Sequence, residues 1–151
     1  MNDYFLRQIS LWGEETQESL KSKSIAIIGN GGLGSTLGLT LASSGIGKIY
    51  LVDFDTLSSH NVHRQIAFKL EDIGKSKSEQ MKKLLESRCD TVNIESFCES
   101  FDNFLKRGID VDLMIDATDN LPTRSAIDKW AKANGKVWLY ASVEEWRGQV
   151  C

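Results

Sequence analysis

The residue types and spacings in this 151-residue chain that could do chemistry begin with a glycine-rich turn. Gly29-Asn30-Gly31-Gly32-Leu33-Gly34 has the form GxGxxG. Glycines at Gly29, Gly31, Gly32 and Gly34 permit a tight turn and let backbone N–H groups approach phosphate oxygens. A helix starting there adds donors and the positive end of its dipole. Asp53 follows Gly34 by 19 residues (53 − 34), close to the ~20 expected of an acid that hydrogen-bonds a ribose hydroxyl. The lesser alternative is a strand-terminal aspartate that caps a turn. Together the two features describe a dinucleotide site of the NAD type.

The stretch that follows points away from NAD. Asp53-Phe54-Asp55-Thr56-Leu57-Ser58-Ser59-His60-Asn61-Val62-His63-Arg64-Gln65 is succeeded by Gly74-Lys75-Ser76-Lys77. A pyrophosphate is held mostly by backbone donors, whereas attack on a triphosphate needs cations where charge develops. Arg64 offers a bidentate fork and Lys77 a compact point charge. Taken singly, each reads more readily as a solvated surface cation, and their value lies in falling together just beyond the nucleotide strand. A further acidic pair lies in Asp116-Ala117-Thr118-Asp119-Asn120. Mg²⁺ on triphosphate oxygens needs one or two protein carboxylates. Asp119 is the better candidate, and Asp116 serves equally well as a cap for the following loop. His60 and His63 lack a third ligand of matching type nearby, so they read as polar loop residues.

These residues need elements to position them. Ser24 to Ile28 reads as a buried strand, Leu33 to Ser44 as a helix stopped by Gly45, and Lys48 to Val52 as a second strand. Phe54 to Lys75 is a long polar connection, and such connections tend to be functional. Ser76 to Cys89 is a helix, Val92 to Phe97 a strand, Phe101 to Arg107 a short helix and Val111 to Ile115 a fourth strand. Leu121 to Asn134 is a helix with Pro122 in its first turn, and Lys136 to Ala141 is a fifth strand. Alternating short apolar strands and helices predict an α/β fold, a Rossmann-like, mostly parallel sheet with helices on both faces. Open sheets of this kind bind ligands at the carboxyl ends of their strands, where the glycine turn, Asp53 and Asp119 all fall. Residues 1–22 read as an arm or short helices, and residues 23–151 as the nucleotide-binding domain.

Composition narrows the partners. A net charge of −3 argues against general nucleic-acid or anionic-membrane binding. Apolar runs are far short of the ~20 residues that span a bilayer, and the N-terminus lacks the basic and apolar regions of a signal peptide. Cys89, Cys98 and Cys151 form no CxxC pair, which suits a reducing cytoplasm and excludes a four-thiolate zinc site within the chain. None of them is expected to be a catalytic thiol. Trp12, Trp130, Trp138 and Trp146 read as core or interface aromatics rather than a platform for nucleic-acid bases.

The ordered set GNGGLG, LVDFDTLSSHNVHRQ, GKSK, IDATDN and Arg124, preceded by Phe5-Leu6-Arg7-Gln8-Ile9, closely resembles the ThiF/MoeB/HesA family. This is the adenylating core shared with ubiquitin-activating enzymes, and the likeness runs from about residue 5 to Gln149. It implies binding of Mg-ATP and of the Gly-Gly tail of a small ubiquitin-like sulfur carrier of the ThiS or MoaD type. The tail carboxylate would attack the α-phosphate to give an acyl-adenylate and pyrophosphate. By motif matching, Gly32 lies in the nucleotide loop, Asp53 holds the ribose, Asn61, Arg64 and Lys77 face the phosphates, and Asp119 takes Mg²⁺. Asp55, Gln65, Asn120 and Arg124 belong to the same stretches and are expected around the nucleotide. Arg7 would reach the active site of a partner in a homodimer. Family members usually continue beyond the point where this chain ends, often with a Zn²⁺-binding pair of CxxC motifs, so the adenylation domain is expected to be incomplete at its C-terminus. Alternatives are an adenylating enzyme acting on a carboxylate of modified tRNA, like a tRNA threonylcarbamoyladenosine dehydratase, a non-catalytic nucleotide-binding or dimerisation module, and an NAD dehydrogenase.

Overall fold

The computed structural model describes residues 3–151. Its centre is β1 (Ser24–Ile28), in which four of the five residues are buried. A strand apolar on both faces must be covered on both. Ile25 and Ile27 enter one core with Ile49, Leu51, Met81 and Leu85. Ala26 and Ile28 enter the other with Phe104, Met114 and Ile127. β2 (Lys48–Val52), β3 (Asn93–Phe97), β4 (Leu113–Asp116), β5 (Val137–Glu144) and β6 (Arg147–Val150) complete a sheet of order β3-β2-β1-β4-β5-β6. β1 to β5 pair in parallel, and β6 returns antiparallel to β5. The mostly parallel α/β sheet expected from the sequence is what the chain forms.

Helices α1 (Leu6–Trp12) and α2 (Glu14–Leu20) precede the sheet. α3 (Gly32–Ser43), α4 (Ser59–Val62), α5 (Lys77–Arg88), α6 (Phe101–Leu105) and α7 (Leu121–Asn134) fall between strands. The first core contains Met81 and Leu85 of α5, and the second contains Phe104 of α6 and Ile127 of α7. Among the differences from the sequence reading are two at strand ends. β4 starts at Leu113 because Asp112 is engaged in capping: its carboxylate accepts from Ser24 N and Oγ at 2.8 and 3.0 Å. β5 runs on to Glu144 and turns through Glu145 into β6. Trp146 at that turn is 99% exposed and in neither core; Trp130 and Trp138 pack against the second core as expected.

The polar stretch 54–75 is ordered by its few apolar residues. Leu57, Ala67 and Phe68 are buried in the first core. Ser58 N–H donates to Asn61 Oδ1 at 3.0 Å, setting α4, and Thr56 bridges Ser76. At the N-terminus, Phe5 and Gln17 are buried, and Gln17 Nε2 donates to Ser44 O at 2.9 Å. The N-terminal helices therefore dock on the end of α3, with Arg7 exposed.

Candidate functional site

Parallel strands deliver all their carboxyl ends to one edge of the sheet. There a cavity of about 680 Å³ opens between the turn after β1, the end of β2, the 54–65 segment and the loop after β4.

The turn after β1 is built by two of its glycines. Gly29 has φ +88°, and a Cβ on it would come 2.9 Å from Ala117 O. A Cβ on Gly34 would lie 1.8 Å from Gly29 O, so α3 can close onto the turn only through glycine. Gly31 and Gly32 are different. Around their Cβ positions the nearest atoms are Gln65 Nε2 at 3.4 Å and Arg64 O at 4.0 Å. Both residues line the cavity. The space a side chain would fill there is space a ligand backed by the start of α3 can use.

Asp53 is buried, and each of its oxygens is already placed. Oδ2 accepts from Asn30 N–H at 2.7 Å and Oδ1 from Asp55 N–H at 2.8 Å. Burial raises its carboxyl above the ordinary aspartate value, against the backbone donors and the Lys77 charge, which pull it down. One lone pair on each oxygen is left for sugar hydroxyls. Lys77, at the start of α5, has a side chain only 8% exposed, so it is no solvated surface cation. Its Nζ lies 3.1 Å from Asp55 Oδ2. Arg64 is exposed on the cavity wall, and Nη1 donates to His60 O at 2.9 Å. It pairs with no carboxylate among the described residues, and a guanidinium without an acidic partner facing a cavity suits an anion. Asn61 and Gln65 are buried in the same wall, and Gln65 Oε1 has no hydrogen-bond partner among the described residues.

The loop after β4 separates its two aspartates. Asp116 is fully buried. Its Oδ1 accepts from Thr118 N and Oγ1 at 2.9 and 2.7 Å, and Oδ2 accepts from Arg124 Nε at 2.6 Å. Of its two sequence readings, capping the loop is the one the geometry carries. Arg124 also donates to Thr118 O at 3.0 Å and lies over the Tyr140 ring at 4.5 Å. Asp119 is left exposed in the cavity wall, beside Asn120, whose Oδ1 accepts from Thr123 N–H at 3.1 Å at the start of α7. Among the described residues no three His, Cys, Asp or Glu side chains converge on one point. One carboxylate together with triphosphate oxygens is still sufficient for Mg²⁺.

The cavity thus gathers Gly29, Gly31, Gly32, Asp53, Asp55, Asn61, Arg64, Gln65, Lys77, Asp119 and Asn120. It does not gather Gly34, which lies behind the turn, Arg124, which lies behind the β4 loop, or Arg7 on α1. It also brings in Phe54, Glu99 and Phe101, which sequence reasoning missed. Phe54 lies within the LVDFDTLSSHNVHRQ stretch, and no motif marks Glu99 or Phe101. Their place just past β2 and β3 was the available signal.

The chain matches the ThiF family model over residues 5–151. It is 33% identical over 152 residues to the sulfur carrier protein adenylyltransferase of Thermus thermophilus, covering 98% of this chain and 56% of that protein. It is 38% identical over 147 residues to a probable molybdopterin-synthase adenylyltransferase of Porphyra purpurea, covering 96% of this chain and 38% of that protein. Its fold superposes with TM-score 0.84 and 25% identity on the tRNA N6-threonylcarbamoyladenosine dehydratase of E. coli in complex with ATP, covering 91% of this chain and 58% of that one. The chain therefore spans between about two fifths and three fifths of the length of these relatives. With a family match across nearly every residue and the glycine turn, Asp53 and Asp119 on one cavity, this chain belongs to the ThiF family.

Proposed function

We propose that this chain is the nucleotide-binding part of an ATP-dependent adenylyltransferase that activates the C-terminal carboxylate of a small ubiquitin-like sulfur-carrier protein. One observation carries the reading: Arg64 and Lys77 share a cavity with the glycine turn, Asp53 and Asp119. That is more cationic equipment than a pyrophosphate of NAD requires. The relatives named as adenylyltransferases and the ATP bound to the E. coli structure support it.

In this reading Asp53 takes the ribose, and the N–H groups at Gly31 and Gly32 face phosphate. A carboxylate oxygen of the acceptor forms a bond to the α-phosphorus as the bond to the bridging oxygen breaks, and pyrophosphate leaves with the electron pair. No protein nucleophile takes part, so the chain's contribution is positioning and electrostatic stabilisation. Arg64 places a fork on phosphate oxygens. Lys77 exchanges Asp55 for a phosphate oxygen, its position already fixed by burial. Asp119 would hold Mg²⁺, which supplies charge neutralisation on the leaving pyrophosphate. Arg124 acts from behind, through Asp116 and Thr118, on the loop that carries Asp119. Arg7 would complete the site from the partner in a homodimer, in a reducing cytoplasm.

The test is calorimetry of this chain with Mg-ATP and NAD⁺, followed by ATP–pyrophosphate exchange with a carrier protein ending in Gly-Gly. Mg-ATP should bind well ahead of NAD⁺, and exchange should depend on the carrier. Equal or tighter NAD⁺ binding would sink the reading. The tRNA-directed alternative is favoured by the likeness to the E. coli dehydratase and opposed by the net charge of −3. Exchange that depends on modified tRNA instead of the carrier would select it.

A further inference from the structure

We infer that Glu99, held by Arg107, reads the base of the nucleotide and selects a 6-amino purine over a 6-oxo purine. The inference rests on the nucleotide reading of the cavity and follows from the strand order. The glycine turn follows β1, Asp53 follows β2, and Glu99 lies two residues past β3. β2 and β3 end level, since Val52 and Phe97 are register partners and Asp53 N–H donates to Phe97 O at 3.1 Å. Neighbouring strands are ~4.8 Å apart. A nucleotide with phosphates on the turn and its ribose on Asp53 therefore sends its base onward, over the end of β3.

The cavity wall there is made by Phe54, Glu99 and Phe101. Phe54 is 63% exposed, a large ring with little protein over it, and such a ring offers a stacking face to any base. A smaller adjoining cavity of about 300 Å³ shares Phe54 and Phe101, so this end of the cleft has room beside the ring. Glu99 is fixed in place. Oε1 accepts from Arg107 Nε at 2.6 Å and Oε2 from Nη2 at 2.9 Å, while the guanidinium lies over the Phe97 ring at 4.7 Å. The hydrogen bonds from Arg107 hold the Glu99 carboxyl below its ordinary value, so it stays a carboxylate.

A carboxylate only accepts hydrogen bonds. The C6 amine of adenine donates to it. In hypoxanthine or guanine the C6 carbonyl sets lone pair against lone pair and the donor moves to N1–H, so the base must shift along the cleft before the fixed carboxylate can accept from it. A site built to pair with a donor at one position discriminates against an analogue that presents an acceptor there. Glu99 belongs to no glycine, DxD or DATDN motif, and its role is specified by topology alone.

The experiment is isothermal calorimetry of this chain with Mg-ATP and Mg-inosine triphosphate, which differ at C6 and in the proton on N1. The wild type should prefer ATP by about 10- to 100-fold, the range of a hydrogen bond to a charged group. Glu99→Ala should lose most of that preference. Glu99→Gln keeps an acceptor for Arg107 and can turn an N–H toward a 6-oxo group, so the two affinities should converge to within about threefold. Glu95→Gln, on β3 but ion-paired to Lys48 away from the cavity, should leave the ratio unchanged. Equal wild-type affinities, or a preference kept in both Glu99 variants, overturn the assignment while leaving the nucleotide reading intact. Failure of the wild type to bind either nucleotide removes the nucleotide reading and this assignment with it.

Discussion

At Asp53 the chain holds a carboxylate out of water against two backbone N–H groups, and the balance has a pH signature. Because burial raises its folded value, Asp53's own contribution to stability is present in full below the ordinary aspartate range. That contribution is lost as pH rises through the raised value. Nucleotide binding runs the other way, since the ribose contact needs the ionised acceptor. Affinity for ATP should fall on acidification at a pH above the usual aspartate range, and Asp53→Ala should bind weakly with that pH step gone. Asp119→Ala should instead keep Mg²⁺-free affinity and lose the part that Mg²⁺ adds, both read by calorimetry. Retention of the full Mg²⁺ effect would refute the metal assignment. Asp53 was legible because its spacing from the glycine turn carries the information. The split between Asp116 and Asp119 was half legible: Asp119 stood out by lying past the strand end, but the capping role of Asp116 depends on Arg124 arriving from the following helix. Lys77 looked like any surface lysine until the fold buried it.

Elements set two further expectations. Gly34→Ala forces a Cβ onto Gly29 O and should cost more than ~2 kcal/mol in chemical unfolding, since backbone must move. Gly32→Ala opens α3 with a better helix former and meets nothing nearer than 4.0 Å. It should leave stability within about 0.5 kcal/mol and still weaken ATP binding, because its methyl occupies the cavity. Loss of stability in both would mean that the turn is merely structural at Gly32. Arg124→Ala strands the fully buried Asp116 charge and should cost about 3–5 kcal/mol, a loss readable as a large drop in the denaturation midpoint. Strand cores were readable from sequence because each is a short apolar run that both faces of a parallel sheet demand. The 54–75 segment was not. Its order comes from Leu57, Ala67 and Phe68 sinking into a core made by distant residues, and no local period reports that.

For the whole molecule, the N-terminal helices dock through Phe5 and Gln17 and leave Arg7 exposed between the exposed Leu6 and Leu11. If Arg7 serves a neighbour's site, Arg7→Ala and Lys77→Ala are each inactive in pyrophosphate exchange. Mixed and allowed to exchange subunits, they should regain part of the activity, since one site per heterodimer is intact. Demonstrated exchange without recovery would place Arg7 in its own site or outside catalysis. The family and the sheet were visible in the ordered motifs, whereas the path of the base along the sheet edge needed the strand order. The central place of β1 also has a consequence in time. Its two neighbours reach it by very different routes: β2 follows after one helix, while the contact between Ser24 and Asp112 beside β4 closes over 88 residues. Long closures slow folding. The glycine turn and Asp53 can assemble in the early β1–α3–β2 unit, but Asp119 arrives only when Ala117 N–H reaches Ile28 O. In stopped-flow refolding, helical signal should therefore precede Mg²⁺-dependent ATP affinity. A newly made chain would pass through a stage that can hold a sugar and not yet a metal-bound triphosphate.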